Sequence, residues 1–222
     1  MITRNLIIII LLCFIIKSCA SVSHSSHKAD GTLPKVGALL TNSINKFDSI
    51  IRLETLNGNF YCSGFVIDGN YAITAGHCVR NSIGGISSDE IAIYDKDNNS
   101  TGITAVPIAM DNDRDIGFIK GNFIDFKSMN VDFTGEHVRS NSLIKSCGFP
   151  AGQKDMYCTD LIMNGNMNFQ YKTYGLPLYK GMSGGPAIDV NSGYVIGVNS
   201  AVGEDSIIIG PLIGVLENVR LR

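Results

Sequence analysis

The sequence predicts an all-β protein built as two six-stranded halves and closed by a short C-terminal helix. The first observation is compositional: 222 residues carry 24 glycines, no tryptophan and 45% hydrophobic residues, enough for one ordinary globular unit or two small packed halves. The second is a series of short runs of Ile, Val, Phe, Tyr and Thr bounded by Asn, Gly and Asp, which favours strands over long helices. The third is a polar and aromatic stretch at 121–136 that divides those runs six and six.

Before the strands, residues 1–20 read as an export signal. Arg4 supplies a positive start, and the apolar run from Leu6 to Ile16, ended by Lys17, is too short to span a bilayer comfortably. Two processing routes fit. Cleavage after Ala20 would use the small residues Ser18 and Ala20, whereas Ile16-Lys17-Ser18-Cys19 resembles a bacterial lipobox in which Cys19 would carry lipid. Either way the chain is exported, secreted or periplasmic in the first case and membrane-anchored as a lipoprotein in the second. Residues 21–46 begin with a Ser- and His-rich segment and read as a flexible tether; His24 and His27 there lack a third metal ligand.

The first half, 47–120, carries strand patterns at 47–56, 60–67, 71–75, 90–94, 103–110 and 116–120. After the crossing linker at 121–136, the second half, 137–222, continues at 143–148, 156–163, 168–174, 186–190, 194–199 and 206–209. Pro211 followed by Leu212, Val215, Leu216 and Val219 at near-helical spacing predicts the terminal helix. His137 lies among charged and polar neighbours and is expected to be exposed. Asn98-Asn99-Ser100-Thr101 contains glycosylation sequons, which in a bacterial protein are merely a loop.

Cys13 and Cys19 fall in the export segment, leaving Cys62, Cys78, Cys147 and Cys158 in the folded body. An even number fits an oxidising compartment. Cys62 and Cys78 lie on or beside adjacent strand patterns whose hairpin brings them together, and Cys147 and Cys158 would then pair across the next hairpin. A loop of this size contributes about 3 kcal/mol in the chain-entropy model. The rival, a zinc site of four thiolates, lacks the paired C-x2-C knuckles. No metal or other cofactor is expected. A formal charge of -2 without long like-charge blocks offers no basic field for nucleic acid.

The chemistry-bearing stretch is Gly181-Met182-Ser183-Gly184-Gly185-Pro186, where glycines on both sides let the backbone turn tightly around an exposed hydroxyl. A serine hydroxyl is a weak nucleophile alone and requires a base, a group that orients the base, and donors for an oxyanion. His77 in Thr74-Ala75-Gly76-His77-Cys78 is the candidate base, and Asp115, ahead of the apolar run Ile116-Gly117-Phe118-Ile119, is the candidate acid. Asp111 and Asp113 compete for that role; a strand beginning at Ile116 favours Asp115. The donors are the backbone N–H groups of Gly181 and Ser183. Each residue alone has an ordinary reading as a turn serine, a capping histidine or a loop carboxylate. An α/β-hydrolase esterase fails on the order His, Asp, Ser and on the lack of alternating helices.

Together the three motifs resemble those of the trypsin-like, chymotrypsin-fold serine peptidases over about 47–219, and the positions of Cys62 and Cys78 match that family's disulfide around the catalytic histidine. The resemblance implies two six-stranded antiparallel β-barrels with the site between them. It also implies a serine endopeptidase that cleaves protein or peptide substrates through an acyl-enzyme intermediate on a triad of His77, Asp115 and Ser183. The alternative is a protease-fold binding module that has lost catalysis. Membrane contact would come only through a lipid on Cys19. The chain is similar in character to bacterial glutamyl endopeptidases and high-temperature-requirement proteases, though it ends too soon after the second half for a PDZ domain to be expected.

Met182 departs from the digestive members, which carry there an aspartate that pairs with a newly cleaved N-terminal amine. An enzyme whose oxyanion hole forms without a freed terminus is the expectation. The substrate pocket is expected to be lined by Pro177 and Leu178 and by Asn199, Ser200 and Ala201, the end of a strand able to pair with an extended substrate. No acid sits at the expected pocket floor, which disfavours Arg or Lys selectivity. Asn199 stands where glutamyl endopeptidases have histidine, leaving a small or medium uncharged side chain as the expected preference.

Overall fold

A computed structural model describes residues 47–218 apart from 57, 59, 60, 152, 168, 169, 176, 177 and 203–206. The export segment and tether expected over 1–46 lie outside the described residues, as do 219–222. The first six strands are β1 (Ile50–Thr55), β2 (Tyr61–Val66), β3 (Tyr71–Ala75), β4 (Ile91–Tyr94), β5 (Ser100–Asp111) and β6 (Ile116–Lys120). They close in the order β1-β2-β3-β6-β5-β4, with β4 returning to β1. The second six are β7 (Leu143–Gly148), β8 (Tyr157–Met167), β9 (Gln170–Gly175), β10 (Pro186–Asp189), β11 (Val195–Val202) and β12 (Ile207–Pro211). Their order is β10-β11-β12-β9-β8-β7, closed where β10 meets β7. Among the described residues every strand pairing is antiparallel, and closure leaves neither sheet an open edge for uncontrolled pairing.

Several strands run beyond the apolar signal that predicts them: β8 continues past Met163 to Met167, β12 past Ile209 to Pro211, and β5 and β11 also lengthen. β5 begins at Ser100 rather than Ile103: Ser100 pairs with Tyr94 across a register irregularity and the Thr101 hydroxyl donates to Ile93 O at 2.7 Å, neither of which needs an apolar side chain. β11 continues past Asn199 to Val202 through an irregularity between Asn199 and Ala201. Residues 47–49, expected as strand, form a 3-10 turn ahead of β1. The terminal helix α1 (Val215–Asn218) begins three residues after Leu212, which instead donates its N–H to the Ile196 carbonyl at 3.1 Å.

Alternation along the strands sorts apolar side chains into three cores. Ile51, Leu53, Val66, Ala72 and Ile119 fill the first barrel. Ile144, Leu161, Tyr171, Ile196 and Ile209 fill the second. The third core lies between the barrels, where Ile50, Phe65, Ile73 and Ile116 meet Phe149, Val195, Val198 and Leu212. Each fully buried Ile or Phe contributes about 1.5–3 kcal/mol, so docking the barrels is a substantial part of the stability.

Residues 121–136, expected as a crossing linker, form a seam. Met129 N–H donates to the Val66 carbonyl of β2 at 2.9 Å, while Val195 N–H of β11 donates to Asn130 O and Asp132 N–H to Val195 O, both at 2.9 Å. Asp132 then gathers the N–H groups of Thr134, Gly135 and His137 and the Thr134 hydroxyl, at 2.7–3.0 Å. Burial alone would raise its pKa, but these donors outweigh it and hold the carboxyl below its ordinary value. His137 is half-buried and stacks on Tyr194 with ring centroids 4.2 Å apart, not exposed as its polar neighbours suggest.

Candidate functional site

β3 and β6 are adjacent, and Ala75 pairs with Ile116 at the end of that ladder. Leaving the sheet there, the chain makes the 3-10 turn Gly76–Cys78 on one side and arrives through Asp115 on the other. His77 and Asp115, 38 residues apart in sequence, are thereby set side by side. Gly76 N–H donates to the Asp115 carbonyl and His77 N–H to Asp115 Oδ1, both at 2.8 Å, while His77 Nδ1 lies 2.8 Å from Asp115 Oδ2. A neutral imidazole bonded this way carries its proton on Nδ1 and leaves Nε2 free to accept one.

Asp115 adopts φ +56°, a left-handed conformation that aspartate tolerates better than most residues. A side chain at position 76 would bring a Cβ 3.0 Å from Asp115 Oδ1 and 3.1 Å from its carbonyl carbon, which accounts for the glycine there. Burial works to raise the Asp115 pKa. The hydrogen bond and charge of His77, the Ser200 hydroxyl and the His77 N–H prevail and lower it. Asp111 is spent elsewhere: Oδ1 accepts the N–H groups of Asp113 and Arg114 at 3.0 Å, and Oδ2 pairs with the Arg114 guanidinium at 2.8 Å. Asp113 is exposed.

The serine turn leads into β10 and leans on both barrels. Lys180 O accepts from Ala151 N–H at 2.6 Å, Gly181 O from the Ser63 hydroxyl at 2.8 Å, Met182 O from Asn199 Nδ2 at 3.2 Å and Ser183 O from Ser63 N–H at 2.7 Å. The N–H groups of Met182, Gly184 and Gly185 donate to Tyr179 O, Asn199 O and Met182 O. Those of Gly181 and Ser183 have no acceptor among the described residues. Since a trans peptide directs its N–H opposite its C=O, anchoring Lys180 O on Ala151 aims the Gly181 N–H the other way. Ser183 Oγ likewise has no hydrogen-bond partner among the described residues, and Ser183 is half-buried. Gly181 and Gly184 take φ +92° and +88°. A Cβ at Gly181 would come 2.5 Å from Phe149 O, and one at Gly184 would strike Ser63 O and the Thr74 hydroxyl.

Cys62 is bonded to Cys78 and Cys147 to Cys158, tying the His77 turn to β2 and β7 to β8. The thiolates of the zinc reading are therefore consumed. His77 also borders a cavity of about 130 Å³ on the first barrel, whose walls include Thr55, Arg80 and Asp89.

The expected pocket residues separate. Pro177 lies outside the described residues. Leu178 packs against the core of the second barrel, and exposed Tyr179 meets Tyr157 edge-on at 5.4 Å. Asn199 is fully buried: Oδ1 accepts the Ser146 hydroxyl at 2.6 Å and Nδ2 donates to Cys147 O and Met182 O. That saturation makes it a strut behind the serine turn rather than a surface a substrate reaches. Ser200 sits at the β11 irregularity, where the pleat is broken, and donates its hydroxyl to Asp115 Oδ2 at 2.6 Å. Ala201 is exposed and paired with Ile208. Sequence reasoning missed the Ser200–Asp115 and Ser63–Gly181 contacts, because a serine within a strand pattern carries no signal of its partner.

No curated protein sequence matches the chain. Among solved structures, the inactive form of the Rv3671c protease superposes with a TM-score of 0.61 at 18% identity, covering 78% of this chain and 89% of that one. The active form, from M. tuberculosis, gives 0.59 at 18% identity over 78% and 81%. A serine endoprotease from Yersinia pestis gives 0.63 at 16% identity over 81% of this chain and 64% of its own. Deg5 gives 0.63 at 18% identity over 84% and 94%. At these identities the likeness is one of fold. The family model for a trypsin-like peptidase domain matches residues 62–198, from the first cysteine of the His77 clasp to β11 beyond the serine turn. On that match, which spans more than half of the sequence, the chain belongs to the trypsin-like peptidase family.

Proposed function

We propose that the chain is a serine endopeptidase acting through an acyl-enzyme on His77, Asp115 and Ser183. Ser183 Oγ attacks the substrate carbonyl carbon as its proton passes to His77 Nε2. The carbonyl oxygen, now an oxyanion, is held by the N–H groups of Gly181 and Ser183. As the tetrahedral intermediate collapses, the C–N bond breaks, the leaving amine takes the proton from His77, and water later releases the acyl group by the same route. Asp115 fixes the imidazole tautomer and stabilises the imidazolium. The observation that carries this reading is the 2.8 Å contact from His77 Nδ1 to Asp115 Oδ2, beside a serine turn whose unspent N–H donors are those of Gly181 and Ser183.

The test is labelling by an organophosphonate probe. The folded wild type is expected to be modified at Ser183 and the Ser183→Ala and His77→Ala variants are not; an unlabelled wild type would favour the binding module. The absence of an acid at the expected pocket floor supports cleavage after small or medium uncharged residues, and a peptide-library profile dominated by Lys or Arg would contradict it. Two disulfides fit an oxidising compartment, so export belongs to the same proposal, by cleavage after Ala20 or lipidation of Cys19. Mass spectrometry of the mature N-terminus separates the two routes.

A further inference from the structure

Ser63 is a fully buried hydroxyl on β2 of the first barrel, yet both of its side-chain hydrogen bonds reach the second half of the chain. Its Oγ donates to the Gly181 carbonyl at 2.8 Å and accepts from Phe149 N–H at 2.8 Å. One residue away on the same loop, Lys180 O is held by Ala151 N–H at 2.6 Å. The two peptide planes flanking Gly181 are thus each fixed at their carbonyl, one by Ala151 and the other by Ser63. Between them is a glycine at φ +92°, a residue type that rotates with little steric resistance if either plane is released.

The plane that Ser63 holds at Gly181 O is held at its other end by Met182 N–H, which donates to Tyr179 O at 3.1 Å. Met182 is fully buried and brings no charge into the turn; its sulfur accepts only a long 3.5 Å contact from Tyr179 N–H. Gly148 lets the parts pack this closely, since a Cβ there would lie 2.9 Å from both Ser63 Oγ and Met182 Cα. Ser63 N–H also donates to the Ser183 carbonyl at 2.7 Å, so one residue grips the turn on both sides of Met182.

We propose that Ser63 is a positioning residue for the oxyanion site: its hydroxyl bridges Gly181 O to Phe149 N–H and holds the Gly181 N–H in its donating orientation, with no ion pair from a freed N-terminus. The proposal rests on the peptidase reading above. With the bridge removed, Gly181 O and Phe149 N–H are both left buried and unpaired; the shift that relieves them displaces the 149–151 segment, whose Ala151 N–H holds Lys180 O, and brings a rotation of the Lys180–Gly181 plane that carries the Gly181 N–H. That rotation misdirects a donor whose outright loss in other enzymes costs about 10²–10³ in kcat.

The experiment compares the full-length wild type with Ser63→Ala, Ser63→Thr and Ser63→Cys, each checked by thermal melting. In Ser63→Ala, kcat on a peptide substrate is expected to fall about 10- to 100-fold with KM changed less than about threefold, and a peptide boronate to bind more weakly by about the kcat factor. Ser63→Thr, which keeps the donor, should restore most of the rate, and Ser63→Cys, a weak donor, should fall between. A folded Ser63→Ala with wild-type kcat overturns the proposal; if that variant does not fold, wild-type kcat in Ser63→Cys does so. A crystal structure of Ser63→Ala or Ser63→Cys that keeps the wild-type Lys180–Gly181 plane overturns it even if the wild type proves inert. Failure of the wild type to hydrolyse or label counts against the peptidase reading instead.

Discussion

Ser200 Oγ donates a 2.6 Å hydrogen bond to Asp115 Oδ2, the same oxygen that lies 2.8 Å from His77 Nδ1. Asp115 enters β6 of the first barrel and Ser200 lies on β11 of the second, so the carboxylate facing the imidazole is oriented from both sides of the interface. With Oδ1 on the His77 N–H, both oxygens are engaged and the plane of the carboxylate is fixed.

Removing the charge while keeping the shape tests this arrangement. Asp115→Asn can retain the left-handed backbone, but its amide favours the wrong imidazole tautomer. The expected result is a kcat lower by about 10⁴, the scale seen for the same change in another triad protease, with little change in the melting temperature. Ser200→Ala removes one donor and leaves the tautomer intact, so a loss of about tenfold is expected. Steady-state kinetics with thermal melts check both; equal losses in the two variants would contradict the assigned roles.

Gly184→Ala is expected to destabilise the fold by about 3 kcal/mol or more, through a positive φ and a Cβ forced against Ser63 O and the Thr74 hydroxyl. Urea unfolding measures it. A loss below about 1 kcal/mol would mean that the turn relaxes away from β2 at little cost.

Asn199→Ala separates a strut from a pocket wall. It leaves the Ser146 hydroxyl, Cys147 O and Met182 O without the amide, and a destabilisation of about 3 kcal/mol is expected. Relative kcat/KM values across a peptide library should be unchanged. A new side-chain preference at unchanged stability would restore Asn199 to the substrate pocket.

Acid stability follows from Asp115 and Asp132, whose folded pKa values are both lowered. A carboxyl with a depressed pKa contributes stability that is fully present above its unfolded value, about 3.9, and is lost as pH falls through the folded value. Melting temperature is therefore expected to decline with acidification below about pH 4. Asp132→Asn, with one such group fewer, should start lower at pH 7 and show a shallower decline; a parallel decline would remove Asp132 from the acid response.

Much of this architecture is legible in the sequence because apolar runs report strands directly. Tyr71–Ala75 and Ile116–Lys120 have the predicted limits, and their pairing is what brings His77 to Asp115. The illegible part consists of hydroxyls and amides whose partners are remote in sequence. Ser63 reaches across 118 residues to Gly181, and Ser200 across 85 to Asp115. Ser200 is further concealed by the irregularity in β11, without which strand alternation gives a different facing. Asn199 reads as a polar residue near a pocket because the sequence does not show how completely Ser146, Cys147 and Met182 use its amide.

The serine turn belongs to the second barrel by chain, but its Ser183 carbonyl hangs on Ser63 of the first, while the first barrel's Asp115 is steadied by Ser200 of the second. These two crossings run in opposite directions through one interface. Parting the barrels by a few ångströms would cut both at once while leaving each barrel's own ladder closed. Loss of the proposed chemistry would then report undocking before either barrel unfolds, making that chemistry a sensor of the interface.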